Sequence, residues 1–331
     1  MSEERPTIGV TMGDPAGIGS EVIVKAYPQL VETARVVVIG DRSVLVDAAN
    51  RFAPDLSVRR VTSPAEADGD PDVLPVVDLA NVSDHQYGEL SEANGEASLA
   101  YIERAIELAQ AGEIDAITTA PINKQATRMA GSEYAGHTGM LADYTDTEEY
   151  SMMLVEDDLK VTHVSTHIPL QEACSSLTTE GVESTIRVTA EALGDLGIDD
   201  PTIAVAGLNP HASDGGLLGD EEAAHIEPAV ERVAETGVDV TGPYSPDTVY
   251  VRAAAGEFDC VVSMYHDQGH IPIKMLGFTG EDDAVSGVNV TIGLPIIRTS
   301  VDHGTAFDIA GEGVASEQSM LDAVAIAAEM V

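Results

Sequence analysis

Three histidines each follow a short apolar run in this chain: His167 in STHIPL, His211 in GLNPHASDGG and His266 in YHDQGHIPIK. Side chains just past the carboxyl ends of parallel strands converge on the ligand crevice of an α/β sheet. Imidazoles gathered there would suit a divalent transition metal and leave coordination positions open for a substrate oxygen. The plainer alternative is that each ring packs or caps its own loop. The shared strand-then-histidine setting favours the metal. Asp267, beside His266, is a natural acceptor for an imidazole N–H. His163 and His167 stand four apart, but KVTHVSTH is β-branched and strand-like, so His163 reads as structural.

Anion-binding groups form a second set. Lys274, Asn289 and Arg298 lie in an apolar, glycine-punctuated stretch of a chain that otherwise avoids lysine. A lysine point charge and an arginine fork suit a phosphate or a carboxylate, although ion pairing with the abundant acids is an ordinary alternative. His137 and Thr138, in GHT, open a predicted helix whose hydroxyl and backbone N–H groups could hold an anion. MGDPAGIGSE joins a strand to a helix without forming G-x-G-x-x-G, so the Rossmann dinucleotide fingerprint is absent. HGTAFDIAGEG is a second glycine-rich loop that leads towards a helix. Each glycine loop alone is a weak signal.

The composition bounds what these groups can meet. Acidic residues number 57 and basic residues 16, giving a net charge of −41 spread along 331 residues. Such a surface repels phosphate backbones and anionic lipids, which excludes nucleic acid and membrane surfaces as partners. Only Lys25, Lys124, Lys160 and Lys274 remain against twelve arginines. That balance reads as a halophilic protein working in very high salt, where screening removes self-repulsion. Cys174 and Cys260 are too few for a disulfide framework or a zinc knuckle. No apolar run reaches the ~18 residues of a membrane span, and MSEERPTIGV has no apolar leader core, so the expectation is a cytoplasmic protein.

The elements that must position these residues alternate. Strands are predicted at 7–12, 35–40, within 72–79, and at 116–120, 151–155, 161–166, 203–207, 258–264 and 288–292. Helices are predicted from about 20, and over 44–51, 93–111, 181–193 and 317–330. This alternation predicts an α/β fold with a largely parallel sheet. Residues 63–72 (SPAEADGDPD) and 279–287 (TGEDDAVSG) read as acidic solvent loops. At ~150 residues per domain the length suggests two domains. No obvious linker marks their boundary.

Read in order, MGDPAGIGSE, TAPINK, GHT, STHIPL, GLNPHASDGG, GPYSPDT, YHDQGHIPIK and GVNVTIGLPIIRTSVDHGTAFDIAGEG resemble the 4-hydroxythreonine-4-phosphate dehydrogenase family of pyridoxal phosphate biosynthesis. The likeness runs over essentially the whole chain. It implies the two-domain α/β/α fold of isocitrate and isopropylmalate dehydrogenases. Residues 1–130 with 300–331 would form the cofactor side, and 131–299 the substrate, metal and dimerisation side. It implies an enzyme that oxidises, with NAD and a divalent metal (Zn, Co, Ni, Mn or Mg), the C3 hydroxyl of a 4-phosphorylated four-carbon acid. The 3-keto acid product would then lose carbon dioxide.

Carried over residue by residue, the resemblance makes His167, His211 and His266 metal ligands. His137, Thr138, Lys274, Asn289 and Arg298 become substrate contacts. Gly13, Asp14, His303, Gly304, Thr305 and Asp308 fall on the cofactor side, and Lys274, Asp247 and Asp267 are the catalytic candidates. The metal site would be shared across a homodimer. The wording DQGHIPIK and APINK is similar to a sister branch acting on 4-phospho-D-threonate or 4-phospho-D-erythronate. A metal-dependent lyase without NAD is the remoter alternative.

Overall fold

A computed structural model describes residues 5–134, 136–277 and 287–331. The acidic loop expected at 279–287 lies, but for Gly287, outside the described residues. The chain divides into two units, Met1–Asp146 with Pro295–Val331, and Thr147–Leu294.

The first unit holds β1 (Thr7–Thr11), β2 (Arg35–Gly40), β3 (Ser57–Val61), β4 (Val73–Asp78), β5 (Ala116–Thr119) and, late in the chain, β12 (Ile297–Val301). Their order is β3-β4-β2-β1-β5-β12, every pair parallel. β1 is buried along its length and β2 nearly so, as strands covered on both faces must be, which is why TIGVT and RVVVIG read as continuous runs. The order turns at β1, whose carboxyl end is the switch point at which α/β sheets bind ligands. The helix Glu92–Gln110 starts at Ser91, whose hydroxyl accepts from Asn94 N at 3.1 Å. Glu21 is fully buried and accepts from Gly313 N and Ala315 N, which ties the late glycine-rich segment to the helix Gly19–Thr33.

The second unit holds β6 (Ser151–Glu156), β7 (Leu159–His163), β8 (Ile203–Ala206), β9 (Val240–Tyr244), β10 (Cys260–Ser263) and β11 (Val288–Ile292), in the order β11-β6-β7-β10-β8-β9. β7, β10, β8 and β9 run parallel, while β11–β6 and β6–β7 are antiparallel. The expected parallel sheet is therefore mixed here. β6 pairs Glu156 with Leu159, so only Asp157 and Asp158 make the turn, and Asp157 takes φ 48°. A two-residue turn forces the antiparallel return.

The unit boundaries differ from the expected 130/131 and 299/300. The helix His137–Tyr144 packs on Glu92–Gln110, and β12 pairs with β5, so both belong to the first unit. His137, Thr138 and Arg298 consequently sit on the first unit, together with the glycine loops.

Candidate active site

His167, His211 and His266 follow β7, β8 and β10, three strands that lie side by side in the order β7-β10-β8. All three therefore leave the same, carboxyl, edge. Hydrogen bonds knit the loops there: Val164 N donates to Ser263 O at 2.8 Å and Ser165 Oγ to Met264 O at 2.9 Å. The His167 and His266 rings stand 5.5 Å apart, centre to centre. Thr166, His167, Ile168, Tyr265, His266 and Asp267 help line a cavity of about 280 Å³.

Proton counting fixes the tautomers of two of these rings. His266 Nδ1 lies 2.6 Å from Asp267 Oδ1. A carboxylate only accepts, so Nδ1 carries the proton, and in the neutral ring Nε2 keeps its lone pair. The Ser245 hydroxyl gives its one proton to Asp247, and His211 Nδ1 lies 3.3 Å from Ser245 Oγ. His211 must therefore donate at Nδ1, and in the neutral ring it likewise keeps Nε2 unprotonated. The Ser245 bond, with His211 beside it, holds the Asp247 carboxyl below its usual value. An imidazole that donates one N–H to an oxygen and keeps the other nitrogen bare is how metal-binding histidines are prepared. The donor chemistry thus fits a divalent metal. The count within one chain does not: among the described residues no group of three or more potential ligands gathers.

His211 stands on strained backbone. Residues 211–214 all take positive φ, at 54, 50, 61 and 47°, a conformation that non-glycine residues rarely adopt singly. Buried Glu222 anchors the segment just before them, accepting Asn209 N at 2.7 Å and Asn209 Nδ2 at 2.9 Å. Gln268 joins this loop to the next: Met264 N donates to its Oε1 at 2.6 Å, and its Nε2 donates to Gly207 O at 2.7 Å. Neither Glu222 nor Gln268 was a sequence candidate. A lone carboxylate or amide in the sequence gives no signal until its partners are known.

Lys274 lies two turns beyond His266 on the helix His266–Gly277, half-buried. Asn289, on β11, donates from Nδ2 to Met152 Sδ, and its Oδ1 is buried without a hydrogen-bond partner. Ile168, Leu170, Leu217, Ile271 and Met275 are exposed apolar side chains on the segments that carry the three histidines.

The first unit gathers the remaining predicted residues into two clusters. In one, Arg298 is buried and donates from Nη2 to Thr119 Oγ1 at 2.6 Å. Burial pushes its guanidinium down to about 9, which leaves it a cation at neutral pH. His137 begins the helix His137–Tyr144 with Thr138 next, and its Nε2 is buried without a hydrogen-bond partner. Burial first, then the charges of Arg298 and Lys124, hold His137 neutral, far below the usual imidazole value. Lys124 Cε would lie 3.7 Å from a Cβ on Gly136. Lys124 therefore joins this basic cluster. It is one of only four lysines and ends the TAPINK motif, but nothing in the local pattern assigns its side chain a contact.

In the other cluster the two glycine loops meet. Ile18 N donates to Thr305 O at 3.1 Å, and a Cβ on Gly17 would lie 3.0 Å from Thr305 Cβ. Gly13 takes φ 72°, and a Cβ there would lie 2.4 Å from Pro121 O, so contact between protein loops already accounts for this glycine. Asp14 is 1 % exposed. Its Oδ1 accepts from Ala16 N, and its Oδ2 is buried without a partner. Burial raises its carboxyl to about 6. Gly304 and Asp308 are exposed, with open space where a Gly304 Cβ would stand, and His303 Nδ1 lies 3.0 Å from Gly304 O. A loop open in this way can take a group that approaches backbone closely.

Comparison with known proteins agrees with this architecture. The family model described as pyridoxal phosphate biosynthetic protein PdxA matches residues 32–327. The D-threonate 4-phosphate dehydrogenase of Cupriavidus necator is 47% identical, over 100% of this chain and 98% of its own. The crystal structure of a 4-hydroxythreonine-4-phosphate dehydrogenase from Burkholderia phymatum is also 47% identical, with TM-score 0.86 and 99% of each chain covered. A β-decarboxylating dehydrogenase from Thermococcus kodakarensis (14% identity, TM-score 0.51, covering 96% of this chain and 81% of its own) shares the fold alone. Among the described residues no helix is long and apolar enough to cross a membrane. Matched through nearly all of its length by the family model and by both 47%-identical proteins, the chain belongs to the PdxA family of pyridoxal phosphate biosynthetic proteins.

Proposed function

We propose that this chain is a dehydrogenase that uses NAD and a divalent metal to oxidise the C3 hydroxyl of a four-carbon acid phosphorylated at C4. A hydride leaves C3 for NAD and the hydroxyl loses its proton. The C1–C2 bond of the 3-keto acid then breaks, carbon dioxide leaves, and the bond's electron pair forms an enolate that takes a proton from water at C2. One observation carries the reading: His211 and His266 each commit the Nδ1 proton to an oxygen and keep Nε2 as a donor, at the shared edge of neighbouring parallel strands. A divalent ion held by His167, His211 and His266 would supply the Lewis acidity that lowers the pKa of the C3 hydroxyl.

The chain's own residues do the rest. The bond of Asp267 to His266, and that of Asp247 to Ser245 beside His211, support reading both aspartates as orienting groups. Lys274, Asn289, His137, Thr138 and Arg298 are the proposed substrate contacts. The two cations offset phosphate and carboxylate charge, and neutral His137 can accept or donate without adding charge. Asp14 and the loop of His303, Gly304, Thr305 and Asp308 are the proposed cofactor side. Because one chain gathers too few donors for the metal, a second copy is the proposed source of the rest. It would also cover Ile168, Leu170, Leu217, Ile271 and Met275.

Two substrates fit, differing at C2: the amine of 4-hydroxythreonine-4-phosphate, or the hydroxyl of D-threonate 4-phosphate. Relatives of equal identity carry each name, the Cupriavidus enzyme the second and the Burkholderia enzyme the first, so the substrate panel decides between them. The test is a panel of 4-hydroxythreonine-4-phosphate, 4-phospho-D-threonate and 4-phospho-D-erythronate with NAD and a divalent metal in high salt, reading NADH and released carbon dioxide. We expect both products from at least one acid, and their loss in His211→Ala. No NADH from any of the three, with metal bound, would overturn the reading.

A further inference from the structure

We infer that His270 is a positioning residue for His266, and that His163 holds His270 in turn; this rests on the reading of His266 as a metal ligand. The His266 and His270 rings stack, with centroids 3.6 Å apart and planes 11° from parallel. They stand four residues apart on the helix His266–Gly277, a spacing that brings side chains over one another. His270 Nδ1 lies 2.9 Å from the His266 carbonyl oxygen and 3.2 Å from His163 Nε2. A carbonyl only accepts, so Nδ1 carries the proton and is shared between the two acceptors. His163 then accepts at Nε2, which places its own proton on Nδ1, 3.3 Å from Met152 O.

Each Nδ1 proton in this row has one place, and the row runs from the β6 backbone to the face of the His266 ring. Gly269 makes room for it. A Cβ there would lie 2.5 Å from His163 Nε2 and 2.7 Å from Ser263 Oγ. His266 is thereby held at its edge by Asp267 and on its face by His270. A ring fixed before the metal arrives loses little rotamer freedom on binding, and ligand groups locked by their surroundings bind more tightly.

The test titrates full-length protein with Co²⁺ in high salt, following heat and the visible absorption that reports coordination geometry. His270→Leu should weaken Co²⁺ binding by about tenfold to a hundredfold, the range for groups that orient a metal ligand. His270→Phe, which keeps a flat face, should recover part of that loss, and the unfolding midpoint of the metal-free protein should not fall in step with affinity. His270→Asn is a milder variant should the leucine protein fail to fold. Unchanged Co²⁺ affinity in the His270 variants, while His211→Ala and His266→Ala lose it, would overturn the inference and leave the metal reading standing. A midpoint that drops in proportion to affinity would make His270 a stability residue only. Unchanged affinity in His211→Ala and His266→Ala would overturn the metal reading, and this inference with it.

Discussion

Replacing Asp14 by asparagine should raise stability at neutral pH but not in acid. The carboxyl is buried at the end of β1, with Oδ1 bonded to Ala16 N and Oδ2 without a partner. Its proton is held up to about 6, against 3.8 in the unfolded chain. Between those values the folded protein keeps a proton that the unfolded chain has released, so this group's contribution to stability declines as pH rises through that window. Above about 6 both states are ionised and the whole cost stands, which for a gap of about two pH units is about 3 kcal/mol. Below 3.8 both states are protonated and the cost is gone.

The asparagine side chain cannot ionise, but it buries an amide donor where Oδ2 now lies, which returns part of the gain. The expected net gain is therefore about 1–3 kcal/mol at neutral pH. Urea unfolding of parent and variant at pH ~7.5 and ~4 in the same high-salt buffer measures both ends of the window. A variant no more stable than its parent at neutral pH, or one equally stabilised at both, would refute the reasoning. Turnover should fall even as stability rises, because a costly buried carboxylate beside a ligand crevice marks function.

Three further outcomes follow from the same geometry. Gly13→Ala forces a Cβ to 2.4 Å from Pro121 O at φ 72°, and should cost about 2–4 kcal/mol by chemical denaturation. Glu222→Ala removes the acceptor of Asn209 N and should cost about 2–3 kcal/mol; Co²⁺ titration should show weaker binding as the left-handed run at 211–214 relaxes. Diluting salt lengthens the Debye screening distance from ~3 Å at 1 M to ~10 Å at 0.1 M. With −41 on each chain, sedimentation should then show the proposed dimer dissociating while NADH formation falls in parallel; a stable, active dimer in dilute salt would mean that the acidity is only tolerated.

Much of the candidate site was legible in the sequence because its chemistry is written in residue types that a core does not require. Histidines after apolar runs, an Arg in an apolar segment and the scarcity of lysine all stood out against composition. Buried parallel strands announced themselves as unbroken aliphatic runs, which is why β1 and β2 were placed within a residue. Strand order was not legible, since register and neighbours depend on contacts distant in sequence. Only the fold shows β10 lying between β7 and β8, and so puts His266 beside His167. The antiparallel return of β6 into β7 did leave a signal, the Asp157–Asp158 turn, that the strand pattern masked. His270 and Gln268 were silent for a related reason. HDQGHIPIK carries a proline and has no predicted helix, yet it is a helix that starts at His266, and helical spacing is what stacks His270 on His266. The sequence determined which groups are available; tertiary structure decided which nitrogen each histidine keeps, because that depends on neighbours such as Ser245 and Met152 that no local pattern places.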